Sequence, residues 1–321
     1  MVSSSFTSDA APDPVQSGIE ELRQWLCDRL QLGWATPPSP EEWALITAHM
    51  MDAKAPGLAR RLRSLAALAQ QGRPPRFFEE LGELWLLIEG YETLNSLPYG
   101  LAQEVRSQLG QTQKKAQLQQ RPGLEDLWIV VGQVRDREST GATTLKRQRT
   151  WLWGQEHQIF ALLLDYVHHR QSLPEDKPPG SGWRGELVFY DGALQQRALL
   201  KQSQPIPTPK IHLQGYRYIE QGLTAYAQAL ARNPWCDRIP LSLSHILPVN
   251  AGRQLRDSNG QTLPLSPDFE QGWQLMALSG GQPLSLFGEW NGRDYLPLAV
   301  ISSSEHILSI APSPPPPDPS I

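Results

Sequence analysis

Seven histidines, two cysteines and one glycine-rich loop are the places where this 321-residue sequence could carry chemistry. His49, His157, His168, His169, His212, His245 and His306 fall in no H-E-x-x-H or other local ligand spacing. His168 and His169, adjacent on an extended segment, point to opposite faces and so share no metal. Cys27 and Cys236 form no C-x-x-C pair, which leaves neither a zinc knuckle nor a redox dithiol. Gly180-Ser181-Gly182-Trp183-Arg184-Gly185 has the glycine spacing of a dinucleotide loop. Such a loop must follow a strand and open a helix, whereas Pro178-Pro179 precede this one and the strand-like Glu186 to Tyr190 follows. There is no G-x-x-x-x-G-K-[ST], no G-x-S-x-G elbow and no carboxylate pair singled out by spacing. The residues predict no metal, no cofactor and no enzyme; a site assembled only in space is the least favoured alternative.

A basic and aromatic stretch has more content. Between Gln111 and Thr150 eight basic residues stand against four acidic ones, and Trp151 and Trp153 follow directly. Lys114, Lys115, Lys146, Arg147, Arg149, Trp151 and Trp153 are therefore the candidate contacts for nucleic acid or a protein partner. Rings that stack on bases and cations that meet phosphates are what a single-stranded nucleic-acid groove uses. The favoured account of the same residues is a solvated hairpin whose tryptophans face the core, because alternating charge on exposed strand faces is common. Where Trp151 and Trp153 point decides between the two.

The elements that position these residues change character near the middle of the chain. Before it, apolar residues recur at helical spacing: Ile19, Leu22, Leu26 and Leu30; a helix from Ser39-Pro40-Glu41-Glu42 with a capping box; Leu58, Leu62, Leu65 and Ala69; Phe77, Leu81, Leu84, Trp85, Ile88 and Tyr91; and Leu101, Val105 and Leu109. Five short helices with tight turns predict an up-and-down bundle or a stack of helix hairpins. After it come the apolar runs Leu127 to Val134 and Ile159 to Val167, then Asp191-Gly192, Asn259-Gly260 and Asn291-Gly292 between strand-like runs, where hairpin turns are expected. Helices over Ile219 to Leu230 and about Phe269 to Leu278 interrupt the strands. The predicted class is α+β: a disordered leader 1–14, a helical domain 15–120, a β-rich domain 121–305 forming an antiparallel sheet or small barrel with one or two packed helices, and a proline-rich disordered tail 306–321.

The net charge of −4 gives no global field to hold the molecule on nucleic acid or an anionic membrane. The N-terminus lacks the basic and apolar regions of a secretory signal, and no apolar run is long enough to span a bilayer. With its unpaired cysteines, this predicts a soluble cytoplasmic protein.

Several stretches in order resemble a known family: Asp52-Ala53-Lys54-Ala55-Pro56-Gly57-Leu58-Ala59-Arg60-Arg61-Leu62, Gln113-Lys114-Lys115, Glu186 to Tyr190 with Arg197-Ala198-Leu199, Asn233-Pro234-Trp235, and Ala277-Leu278-Ser279-Gly280-Gly281 running to Phe287-Gly288-Glu289-Trp290. From about Leu26 to Ile301 they resemble the region C-terminal to the zinc finger in bacterial SWIM zinc-finger proteins. The finger itself, a C-x-C pair followed by a C-x-H pair, is absent from this sequence, so its zinc and nucleic-acid contacts do not carry over. Similar bacterial proteins are often encoded beside a MoxR-type AAA ATPase and a von Willebrand A-domain protein. The resemblance therefore implies a non-enzymatic accessory role in a multiprotein assembly, with a separately encoded zinc-finger protein, the ATPase or the A-domain protein as partner.

Overall fold

The computed structural model describes residues 13–34, 36–72, 74–140, 143–168, 171–174, 177–207 and 210–310. Residues 1–12 of the expected leader 1–14, His169 and the proline-rich stretch 311–321 lie outside the described residues, while Asp13 and Pro14 cap and open the first helix. The chain is α+β and divides between Thr112 and Gln113 into two compact units.

The first unit holds α1 (Pro14–Leu32), α2 (Pro40–Asp52), α3 (Pro56–Gln70), α4 (Pro74–Glu92), a single 3-10 turn (Leu94–Ser96) and α5 (Tyr99–Leu109). Proline opens four of these helices, at the first turn, where its missing N–H would have had no partner anyway. Ser39 and Glu42 form the expected capping box at the start of α2. The helix begins where three local signals coincide. α1 packs against α2 and α4, α3 against α2 and α4, and α5 against α3 and α4. The contact of α1 with α4 closes the ring, which makes this a bundle and not an open stack of hairpins. Its core is built from Ile19, Leu22, Leu26, Met50, Leu58, Leu62, Leu65, Leu84, Ile88 and Val105, all buried.

The second unit begins with a short helix, α6 (Lys115–Gln120), followed by β1 (Leu124–Thr140), β2 (Thr143–Gly154), β3 (Ile159–His168), β4 (Gly182–Phe189) and β5 (Ala198–Ile206). After them come α7 (Ile219–Arg232), β6 (Ile239–Val249), β7 (Gln254–Arg256), β8 (Thr262–Pro264), α8 (Gly272–Ser279), β9 (Leu284–Trp290), β10 (Tyr295–Ile301) and β11 (Ile307–Ser309). Two antiparallel sheets result, a five-stranded one ordered β3-β2-β1-β4-β5 and a six-stranded one ordered β11-β10-β9-β6-β7-β8. The first curls until its edges meet at a single bridge, Leu162 to Arg197, supported by the Leu162 amide donating to the Gln196 carbonyl at 2.8 Å.

β1 explains the unbroken apolar run in the sequence. Trp128 and Val130 face the inside of the curled sheet with Leu152, Ala161 and Leu187, while Ile129, Val131 and Val134 face the second sheet with Phe287 and Leu298. A strand covered on both faces has no polar side to show. Gly132, beside a bulge, lies at a close approach between the sheets: a Cβ there would stand 2.9 Å from Leu298 and 3.0 Å from Phe287. Helices α7 and α8 pack on β6 of the second sheet.

The expected antiparallel sheet or small barrel with one or two packed helices is present as the edge-closed first sheet and the second sheet that carries α7 and α8. Three expectations need correction. Asp191-Gly192 makes no tight hairpin: Gly192 is not left-handed, and the link between β4 and β5 is longer because the Asp191 carboxylate holds Arg121 at 2.8 and 3.0 Å. Residues 306–310 are not tail: Ile307–Ser309 pairs with β10, and Ile310 is buried. The stretch 115–120, grouped with the helical half from its composition, is α6 of the β-rich unit and packs on β4 and β5.

Candidate functional site

The seven residues singled out in the sequence do not gather. Lys114 and Lys115 are exposed at the start of α6. On β2, period-two alternation places Arg147, Arg149, Trp151 and Trp153 on one face and Lys146 on the other, as the pairing of Asp136 with Arg147 and of Arg137 with Lys146 records. The face with the tryptophans is the one the second sheet covers. Trp151 is 0% exposed and Trp153 7%, so neither offers a ring to a base, and the stacking platform expected of a nucleic-acid groove is not there.

The arginines of that face meet carboxylates. Arg149 grips Glu289 with two parallel bonds, Nε to Oε1 at 2.8 Å and Nη2 to Oε2 at 2.9 Å, and also bonds Asp136. Arg147 grips Asp136 in the same two-pronged way, at 2.8 and 2.9 Å. Glu289 further accepts from Arg238 Nη1 at 3.0 Å and from the Trp151 indole at 2.8 Å. Around this network lies a cleft of about 500 Å³ whose walls also include Arg135, Arg137, Ser266, Asp268, Asn291 and Asp294. Fork-to-fork pairing satisfies both carboxylates and fixes the two sheets to each other. Chemically the cleft holds a clamp, in which Asp136, Arg147, Arg149, Arg238 and Glu289 spend their charges on one another.

Burial pushes the Glu289 carboxyl up, but the Arg149 and Arg238 charges and the bonds from Arg149 and Trp151 outweigh it and hold the group below the ordinary carboxylate range. For Asp136 burial is again outweighed, by the Arg147 and Arg149 bonds and charges. A depressed folded value contributes stability that is present above the unfolded value, about 4.3 for glutamate, and is lost as pH falls through the folded one. Denaturant unfolding of the wild-type chain is therefore expected to show a steep loss below about pH 4, and the Glu289→Gln variant a shallower one. Parallel losses in the two proteins would refute the assignment.

Among the described residues of the β-rich unit, Asp126 and His157 form an Asp–His pair. Asp126, fully buried, accepts from the amides of Leu127, Glu156 and His157 and from His157 Nδ1 at 3.0 Å. The carboxylate thereby staples the turn between β2 and β3. Among the described residues no group of three or more His, Cys, Asp or Glu is placed to hold a metal.

The first unit carries a second concavity, about 220 Å³, lined by Trp34, Pro37, Leu68, Ala69, Gly72, Phe77 and Phe78. Its rings form a ladder: Trp34 stacks on Trp43 at 6.4 Å, meets Phe77 edge-on at 5.0 Å, and Phe77 meets Phe78 edge-on at 5.5 Å. Phe77 is buried and Phe78 is 51% exposed. Among the described residues the Trp34 Nε1–H, shut off from solvent, has no hydrogen-bond partner, which leaves its desolvation uncompensated. A signal for the pocket was in the sequence. Neighbouring Phe77 and Phe78 stand roughly 100° apart around a helix, so one must leave the core when the other enters it.

These features define an α+β protein with a helical bundle that offers an apolar aromatic pocket and a β-rich unit locked by a buried ion network. Residues 12–109 match the family model described as the SWIM-associated four-helix bundle domain. The match agrees with the resemblance to the C-terminal region of SWIM zinc-finger proteins and confines that agreement to the helical unit. No curated protein and no solved structure matches the chain. Among the described residues no helix is long and apolar enough to cross a membrane.

Proposed function

We propose that this chain is a non-enzymatic accessory protein that docks a protein partner through the aromatic pocket of its SWIM-associated bundle. The observation that carries the reading is the half-exposed Phe78 at an apolar pocket walled by Trp34 and Phe77. An exposed ring beside such a pocket is a surface that a partner's apolar anchor can fill. The resemblance to SWIM zinc-finger proteins supports an assembly with a MoxR-type AAA ATPase and a von Willebrand A-domain protein, or a separately encoded zinc-finger protein, in the bacterial cytoplasm. The free thiols of Cys27 and Cys236 fit that reducing compartment.

The test is affinity purification of the tagged full-length chain from its own host, with Phe78→Asp beside the wild type. Recovery of the ATPase or the A-domain protein in fixed proportion is expected, reduced at least tenfold by the substitution. Equal recovery with both proteins, or none with the wild type, would overturn the reading. Phe78 is half-exposed, so circular dichroism is expected to show the variant folded.

A further inference from the structure

We infer that Asn259 is a site of spontaneous covalent modification: it deamidates through a cyclic imide with Gly260, and the isoaspartate left behind is a substrate for carboxyl methylation.

The chain has five asparagines, and the residues that follow them are Ser96, Pro234, Ala251, Gly260 and Gly292. Ring closure needs the next residue's backbone nitrogen to reach the side-chain Cγ. Pro234 has no N–H to give up, and the Cβ of Ser96 or Ala251 crowds the approach that glycine leaves open. That selects Asn259 and Asn291, and the structure separates the two by what holds each carboxamide. Asn291 Oδ1 accepts from the amides of Arg293 at 2.8 Å and Asp294 at 2.9 Å, and Nδ2 donates to the Asp294 carboxylate at 3.2 Å. Gly292 lies against the Tyr226 hydroxyl, which a Cβ there would meet at 2.7 Å. Asn259 stands at the exposed tip of the β7–β8 hairpin, and its side chain makes no hydrogen bond among the described residues. Nothing lies within 4 Å of a Cβ built on Gly260. The nitrogen that must attack is restrained by one exposed turn bond, from the Gly260 amide to the Asp257 carbonyl at 3.1 Å.

The reaction balances with water as its only reagent. The Gly260 nitrogen bonds to Asn259 Cγ, the Cγ–Nδ2 bond breaks, and Nδ2 leaves as ammonia with the proton the Gly260 amide gave up. Water then opens the ring. Opening at Cγ leaves aspartate; opening at the main-chain carbonyl leaves isoaspartate, whose chain runs through the side chain and whose α-carboxylate is free. An oxygen of that carboxylate takes a methyl group from S-adenosylmethionine as the sulfonium–methyl bond breaks.

The change does not stop at the tip. Asp257, buried, accepts from the Asn259 and Gln261 amides with Oδ1 and from the Ile219 amide with Oδ2. One carboxylate therefore ties the hairpin tip to the start of α7. A lengthened backbone and a new negative charge beside it loosen both.

The test is to age the folded full-length chain at neutral and at alkaline pH and follow each asparagine by peptide mapping. Position 259 is expected to convert at least about tenfold faster than position 291. Conversion is expected to speed up at alkaline pH, because the deprotonated amide is the nucleophile, and to become equal at the two positions in denaturant, where the bonds that distinguish them are gone. Aged wild type is expected to accept labelled methyl groups from S-adenosylmethionine in the presence of an isoaspartyl methyltransferase. Aged Asn259→Gln, whose longer side chain places the carboxamide carbon wrongly for closure, is expected to accept at least about tenfold less. Hydrogen exchange at the Ile219 amide is expected to quicken on ageing in the wild type and to stay unchanged in Asn259→Gln. Equal conversion of positions 259 and 291 in the folded chain, no conversion at 259, or methylation insensitive to Asn259→Gln each overturns the inference.

Discussion

Replacing Glu289 by glutamine is expected to cost the β-rich unit about 3–5 kcal/mol, the usual consequence of removing one charge from a buried pair. Glu289 is 2% exposed and serves three donors at once, Arg149, Arg238 and the Trp151 indole. Glutamine keeps the shape and one acceptor oxygen but removes the charge, and Arg149, itself only 4% exposed, is left with Asp136 alone. Asp136 must already satisfy Arg147, so one carboxylate faces two guanidiniums, the buried Arg149 and the partly exposed Arg147. For a unit of this size the loss corresponds to a fall in Tm of roughly 10 °C. Differential scanning calorimetry checks it, with Glu270→Gln, exposed and outside the cleft, as a control expected within about 0.5 kcal/mol of wild type. Adding Arg149→Met to Glu289→Gln is expected to cost less than the two changes separately, because the second removes the charge the first strands. A Tm for Glu289→Gln within about 2 °C of wild type would show that the network is not the clamp.

The same network marks where the sequence stops being informative. Arg147, Arg149, Trp151 and Trp153 at alternate positions plainly belong to one face of a strand, and that much is visible from spacing alone. What covers that face is set by a carboxylate 140 positions further on, and nothing local to Trp151 says that Glu289 will arrive there. A pattern of cations and rings is identical whether it meets phosphates and bases or a second sheet. By contrast the start of α2 was legible in full, because Ser39, Pro40 and Glu42 carry their whole argument within one helical turn. The Asp191-Gly192 dipeptide misled for the opposite reason: its turn chemistry is local, but Arg121 and Gln113 claim the aspartate from outside. Ile307–Ser309 was hidden by its neighbours, three paired residues beside a run of prolines that dominates the composition. The aromatic pocket draws on the link after α1, the end of α3 and the start of α4, three segments whose meeting only the closed ring of helices decides.

That ring depends on how closely α3 approaches α5, and Gly57 sets the distance. A Cβ at Gly57 would stand 1.9 Å from the Gln108 carbonyl oxygen and 2.7 Å from the Leu109 carbonyl carbon, backbone atoms that cannot turn aside as a side-chain end can. Gly110, left-handed at φ 100°, closes the other side of the same contact against Pro56. Gly57→Ala must therefore push the two helices apart and loosen the core around Leu58 and Leu109, both fully buried. The gain in helix propensity from glycine to alanine, at most about 1 kcal/mol, works against a packing loss expected near 3 kcal/mol. The sign differs at Gly82 in α4, where nothing lies within 4 Å of the added carbon and alanine is expected to stabilise by about 0.5 kcal/mol. Hydrogen exchange read by mass spectrometry separates the two: amides of α3 and α5 are expected to lose protection in Gly57→Ala and to keep it in Gly82→Ala. Undiminished protection in Gly57→Ala would mean that the bundle accommodates the methyl group by a shift the close backbone approach does not allow.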